Sequence, residues 1–171
     1  MHNNPLPRLD EYPEIRSQLL GLCRLKQGDI WVDPVFGHKV ACMDASEAAS
    51  ITTLMGDDRA ALAIHDPPYN LVAFETRSLD EYIAWSRRWV SASISATSPD
   101  SSLYIWLGAD QRNHFQPLPD FMVMMREFPV QARSLITVRN QRGYGTQKNW
   151  MAVRQELLYY VRVTLSLMSK P

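Results

Sequence analysis

An α/β domain with a largely parallel sheet is the fold this sequence predicts, on three observations. Apolar runs of strand length alternate with amphipathic stretches of helical spacing. Turn-forming clusters such as Gly56-Asp57-Asp58 and Ser98-Pro99-Asp100-Ser101 separate them. Two of the apolar runs end in an aspartate, Asp44 and Asp66. In open α/β sheets ligands bind beyond the carboxyl ends of the strands, so both aspartates are candidate site residues.

The elements follow in order. Residues 1–9 are rich in Asn and Pro and read as irregular. Over residues 10–26, Ile15, Leu19, Leu20 and Leu22 fall roughly on one helical face, and Lys26 to Asp29 reads as a turn. Residues 30–37 are a short extended segment, and His38 to Met43 a strand with Asp44 at its end. Ser46 is placed to cap a helix running to about Met55. Ala60 to His65 is the next strand. Ser78 and Glu81 have capping-box spacing ahead of a helix whose apolar face holds Tyr82, Trp85, Trp89, Val90 and Ile94. Leu103 to Leu107 is a strand and Phe115 to Phe128 is partly helical, with Phe121, Met122, Met124 and Met125 as core. Ser134 to Arg139 is a strand, Asn140 to Asn149 a polar loop, and Glu156 to Leu165 a further strand.

With 171 residues, one domain is the natural expectation, and an apolar content of 46% suffices for a core. Formal net charge is zero, so any nucleic-acid contact requires a local basic face. Cys23 and Cys42 are too few for a disulfide framework, and no metal-ligand pattern is present. A cytoplasmic location is the expectation, with no membrane span and no metal.

The segment Asp66-Pro67-Pro68-Tyr69-Asn70 carries the most chemistry. A purine's exocyclic amine is a weak nucleophile, because its lone pair is delocalised into the ring. An acidic side chain and a fixed carbonyl that accept its two hydrogens localise that lone pair toward an electrophile. Asp66 supplies the carboxylate, and the restricted Pro67-Pro68 turn holds the carbonyl. Tyr69 stacks on a base that has left the helix. His65, inside the apolar strand, reads as a buried, hydrogen-bonded residue rather than a base. From Arg133 to Arg154 five basic residues occur with no acidic one between them. Arg139, Arg142, Tyr144, Lys148 and Arg154 are the candidate nucleic-acid contacts there; a solvated basic loop is the alternative.

These residues resemble the circularly permuted amino-methyltransferases of the adenine-N6 and cytosine-N4 DNA type, especially those of phages and restriction–modification systems. The resemblance rests on the Asp66 loop, on Cys42-Met43-Asp44-Ala45 in place of a Gly-Asp-Cys-like segment, and on Arg142-Gly143-Tyr144-Gly145 before Gln155-Glu156 in place of His-Glu. It covers roughly residues 30 to 162. It implies an incomplete Rossmann-like, S-adenosylmethionine-dependent methyltransferase sheet flanked by helices. It also implies methyl transfer to adenine N6 in DNA, catalytic roles for Asp66, Pro67, Pro68 and Tyr69, and cofactor contacts from Asp44, Ala45 and Asp66. A second role for Asp44, as a helix cap, stays open. Glu156 either pairs with an arginine of the loop or is a plain strand carboxylate.

The family's Phe-x-Gly-x-Gly-like cofactor segment does not occur in the sequence. The resemblance therefore divides the chain into an N-terminal helical extension (1–29), the catalytic part of a methyltransferase domain (30–165) and a tail (166–171). It leaves three readings: half of an enzyme completed by a second subunit, a truncated remnant, or a compact variant completed by self-association. An inactive binding module and a cytosine-N4 or RNA methyltransferase are the functional alternatives.

Overall fold

The computed structural model describes residues 13–22, 24–68, 77–108, 115–144 and 152–162. The chain divides into two compact units, Met1–Met43 and Asp44–Pro171.

The first unit holds helix α1 (Pro13–Leu20) and a two-stranded antiparallel sheet of β1 (Ile30–Val32) and β2 (Lys39–Ala41). Asp33 organises the turn between the strands, its carboxylate accepting from the backbone N–H groups of Val35 and Phe36 at 3.1 and 3.2 Å. Gly37 closes the turn with φ 72°, a conformation that favours glycine. The strand expected over His38 to Met43 is thus the second arm of a hairpin, not a member of the main sheet. Asp44 accordingly does not terminate a strand of that sheet.

The second unit contains α2 (Ala48–Met55), β3 (Ala60–His65), α3 (Leu79–Ser95), β4 (Thr97–Gly108), α4 (Pro117–Met124), a short 3₁₀ turn (Met125–Glu127), β5 (Val130–Tyr144) and β6 (Ala152–Arg162). Its four strands form a mixed sheet in the order β3-β4-β6-β5, flanked by helices in a Rossmann-like arrangement. Among the described residues only β3 and β4 pair in parallel, joined by the α3 crossover. The sheet is therefore less parallel than the element order suggests. The cause is β6, which returns from β5 as the second arm of a hairpin and inserts antiparallel between β4 and β5.

Helix α3 begins at a capping box. The Ser78 hydroxyl accepts from the Glu81 N–H at 3.3 Å, and the Glu81 carboxylate accepts from the Ser78 N–H at 2.8 Å. Its inward positions Tyr82, Ser86, Trp89, Val90 and Ser93 recur at helical spacing and are all buried. They cover the sheet face that carries Leu103, Ile105, Leu107, Leu158 and Tyr160, with Phe121, Met124 and Met125 closing the core. Met122, expected in the core, is largely exposed. The Ser98–Ser101 cluster does not break the chain but forms a bulge inside β4. Pairing jumps there from Ala60↔Thr97 to Leu62↔Ser102, and Asp100 adopts φ 65°. Likewise β5 runs through the first half of the expected polar loop, with a bulge between Arg139 and Tyr144.

β3 has no partner on its outer edge among the described residues. Leu62 and Ile64, which point away from α3, are 50% and 65% exposed. An apolar run of this kind is the composition of a strand covered on both faces.

Candidate functional site at the carboxyl end of the sheet

The candidate site starts where β3 stops. The strand delivers Asp66, Pro67 and Pro68 at the carboxyl end of the parallel pair, beside the level of Trp106 on β4. Asp66 is exposed and the two prolines are half-buried. Tyr69 and Asn70 lie outside the described residues.

The end of β3 is anchored from below by His65. Its Nε2 shares a hydrogen bond of 2.8 Å with the Ser93 hydroxyl on α3, and its ring packs 5.0 Å from the Trp89 ring. Burial pushes the imidazole pKa down from 6.5 to about 4. His65 is therefore neutral near pH 7, as the buried-residue reading expects, and serves to fix the strand from which the Asp66 loop departs.

Asp44 stands before α2, exposed to solvent. Its Oδ1 accepts from the Ser46 N–H at 2.8 Å. That bond, chiefly, holds the carboxyl below its usual range, with the charges of Arg88 and Arg77 adding. Neither Asp44 nor Ser46 caps α2. The N-cap is Glu47, without a side-chain hydrogen bond, because the helix starts one residue later than capping by Ser46 requires. Ala45 is exposed beside Asp44. Arg77 packs over the Trp85 ring, 5.1 Å from its centroid.

The basic candidates separate into two groups. Arg139 on β5 and Arg154 on β6 are exposed and directly opposite one another across the strands. The Arg154 Nε lies 3.1 Å from Oε1 of Glu156, a buried carboxylate whose Oε2 accepts from the Thr137 hydroxyl at 2.8 Å. Glu156 does pair with an arginine, but with Arg154 of its own strand rather than with one of the loop. Arg142 and Tyr144 belong to the bulged end of β5, where side chains are not described, and Lys148 lies outside the described residues. Thr137 carries no sequence signal. Its role follows from cross-strand register, which brings it opposite Glu156, nineteen positions along the sequence.

Asp44 presents an exposed carboxylate that can accept a hydrogen bond from an amine or attract a cation. Among the described residues no cluster of His, Cys, Asp or Glu suits a metal ion, and no helix is long and apolar enough to cross a membrane.

The class defined by these observations is a mixed, Rossmann-like α/β sheet with its candidate site at the carboxyl end of the parallel strands. No family model matches the chain. Among solved structures it is similar to M1.HpyAVI, at 13% identity over 70% of this chain and 54% of that one, with a TM-score of 0.48. The M1.HpyAVI-SAM complex gives 12% identity, 71% and 51% coverage, and the same TM-score of 0.48. The N-methyltransferase NodS from Bradyrhizobium japonicum WM9 gives 10% identity, 67% and 57% coverage, and a TM-score of 0.43. The chain spans about half the length of the structures it matches.

Proposed function

We propose that this chain carries the substrate-amine half of an S-adenosylmethionine-dependent DNA methyltransferase and directs methyl transfer to the N6 amine of adenine. The observation that carries this reading is the apolar strand β3 ending in Asp66-Pro67-Pro68 at the open carboxyl edge of a β3-α3-β4 crossover. Asp66 accepts one hydrogen of the target amine, and the rigid backbone of the two prolines offers a fixed acceptor for the other. Tyr69 stacks on the extruded base. Asp44 and Ala45 hold the adenine ring of the cofactor, with Asp66 bordering the same site. S-adenosylmethionine supplies the electrophilic methyl group. His65, neutral at working pH, holds the loop and removes no proton. An aspartate at the head of the loop favours adenine over cytosine.

The edge of β3, which has no partner among the described residues, and the exposed Leu62 and Ile64 support a further part of the proposal: a second polypeptide, or a second copy, completes the sheet and the methionine end of the cofactor site. The test uses the purified chain and the complex recovered with it from its source cells. Each is incubated with radiolabelled S-adenosylmethionine and duplex DNA, and the modified nucleoside is identified by mass spectrometry. N6-methyladenine that disappears in Asp66→Ala supports the reading. Methyl transfer by neither preparation refutes it, and N4-methylcytosine refutes the choice of base.

A further inference from the structure

Arg139 and Arg154 are Cα partners in the last regular pair of the β5–β6 ladder before the bulge. Residues directly opposite in an antiparallel pair project from the same face, with Cβ atoms about 5 Å apart, and like charges there repel. Both side chains are exposed, and among the described residues Arg139 makes no ion pair. Next to them is Glu156, whose side chain is only 6% exposed. Each of its oxygens is committed, Oε1 to the Arg154 Nε and Oε2 to the Thr137 hydroxyl, so it is not free to act as a base or a ligand. The Arg154 Nε is held at 3.1 Å by Glu156, while the side chain as a whole is 59% exposed, so guanidinium donors remain for a further acceptor. Two arginines and one carboxylate leave a net charge of +1, the complement of one phosphodiester.

We propose that Arg139 and Arg154 together clamp a single backbone phosphodiester of duplex DNA, with Glu156 as the residue that positions Arg154. The clamp lies at the end of the sheet that carries Asp66, two strand spacings across it for Arg154 and three for Arg139, or about 10–15 Å. It therefore grips the backbone near the base presented to the Asp66 loop. This clamp rests on the DNA substrate of the proposed function but not on methyl transfer.

The test is fluorescence anisotropy of a labelled DNA duplex titrated with wild type, Arg139→Ala, Arg154→Ala, the double variant and Glu156→Gln over a salt series. Circular dichroism checks the fold of each. Either arginine variant should weaken binding roughly ten- to hundred-fold. Losing one phosphate contact lowers the slope of log K against log salt by about 0.9, and the double variant should lose no more than that. Two arginines on separate phosphates would lose about twice as much, which overturns the clamp. Glu156→Gln separates positioning from charge. Removal of a negative charge alone tightens DNA binding, whereas release of Arg154 weakens it, and weakening is expected. Thr137→Val, which removes the other anchor of Glu156, should weaken binding in the same direction if Glu156→Gln does not fold.

Unchanged binding in Arg139→Ala, tighter binding in Glu156→Gln, or no binding of duplex by the wild type overturns the proposal. If methyl transfer is absent while these binding effects appear, the clamp stands and the catalytic reading falls. If transfer occurs but the arginine variants bind like wild type, the clamp alone falls.

Discussion

Replacing His65 by Gln should flatten the pH dependence of stability in acid. In the folded chain the imidazole is pushed down to about 4 by burial, against 6.5 for the free side chain. Between those two values the unfolded chain binds a proton that the folded chain does not. Stability therefore falls as pH drops through 6.5 and stops falling, for this group, near 4. At 1.36 kcal/mol per unit, the full loss is about 3 kcal/mol, a large part of the 5–15 kcal/mol typical of a domain. Urea unfolding followed by tryptophan fluorescence, at about pH 7.5 and about pH 4.5, reads this directly. Wild type should lose about 2.5 kcal/mol more than His65→Gln over that interval. Carboxylates held low in the fold, such as Asp44 and Glu81, titrate in both proteins and cancel in the comparison. Parallel pH profiles for the two proteins would refute the claim that His65 is neutral where it packs against Ser93 and Trp89.

Ser78→Ala removes the capping box of α3 and should cost about 1 kcal/mol in urea unfolding. Leu103→Ala, at a fully buried position on the central strand, should cost about 2–5 kcal/mol, read as a fall in the thermal midpoint. Asp66→Asn keeps the shape of the side chain but weakens it as an acceptor, and should lower the methyl-transfer rate by roughly 10²–10³-fold with the fold intact by circular dichroism. Breaking the surface pair by Arg87→Ala, whose guanidinium meets Glu127 at 2.7 Å, should change stability by less than about 1 kcal/mol.

Local chemistry was legible in the sequence. The Ser78–Glu81 box, the Ala60–His65 strand and the hydrogen-bonded, partly buried His65 follow from residue types a few positions apart. The helix face of Tyr82 and Trp89 follows from period alone. What depended on pairing was not legible. The segment before Asp44 reads as a sheet strand, but Asp33 and Gly37 make a tight turn that folds it onto Ile30–Val32 instead. Ser98 to Ser101 has the composition of a turn, and a bulge absorbs the same residues without ending the strand. The polar stretch after Arg139 reads as a loop because it lacks apolar alternation, yet its backbone stays in the β5 ladder up to Tyr144. The facing of Arg139 and Arg154, and the tie from Thr137 to Glu156, are consequences of register, which no local pattern encodes.

The central claim is that the carboxyl end of this sheet handles S-adenosylmethionine through Asp44 and Asp66. Calorimetric titration of the chain, alone and in the complex recovered with it, tests this most directly. Saturable binding that is lost in Asp44→Ala and in Asp66→Ala, both folded by circular dichroism, is the result predicted. A folded chain and a folded complex that take up no S-adenosylmethionine would contradict it.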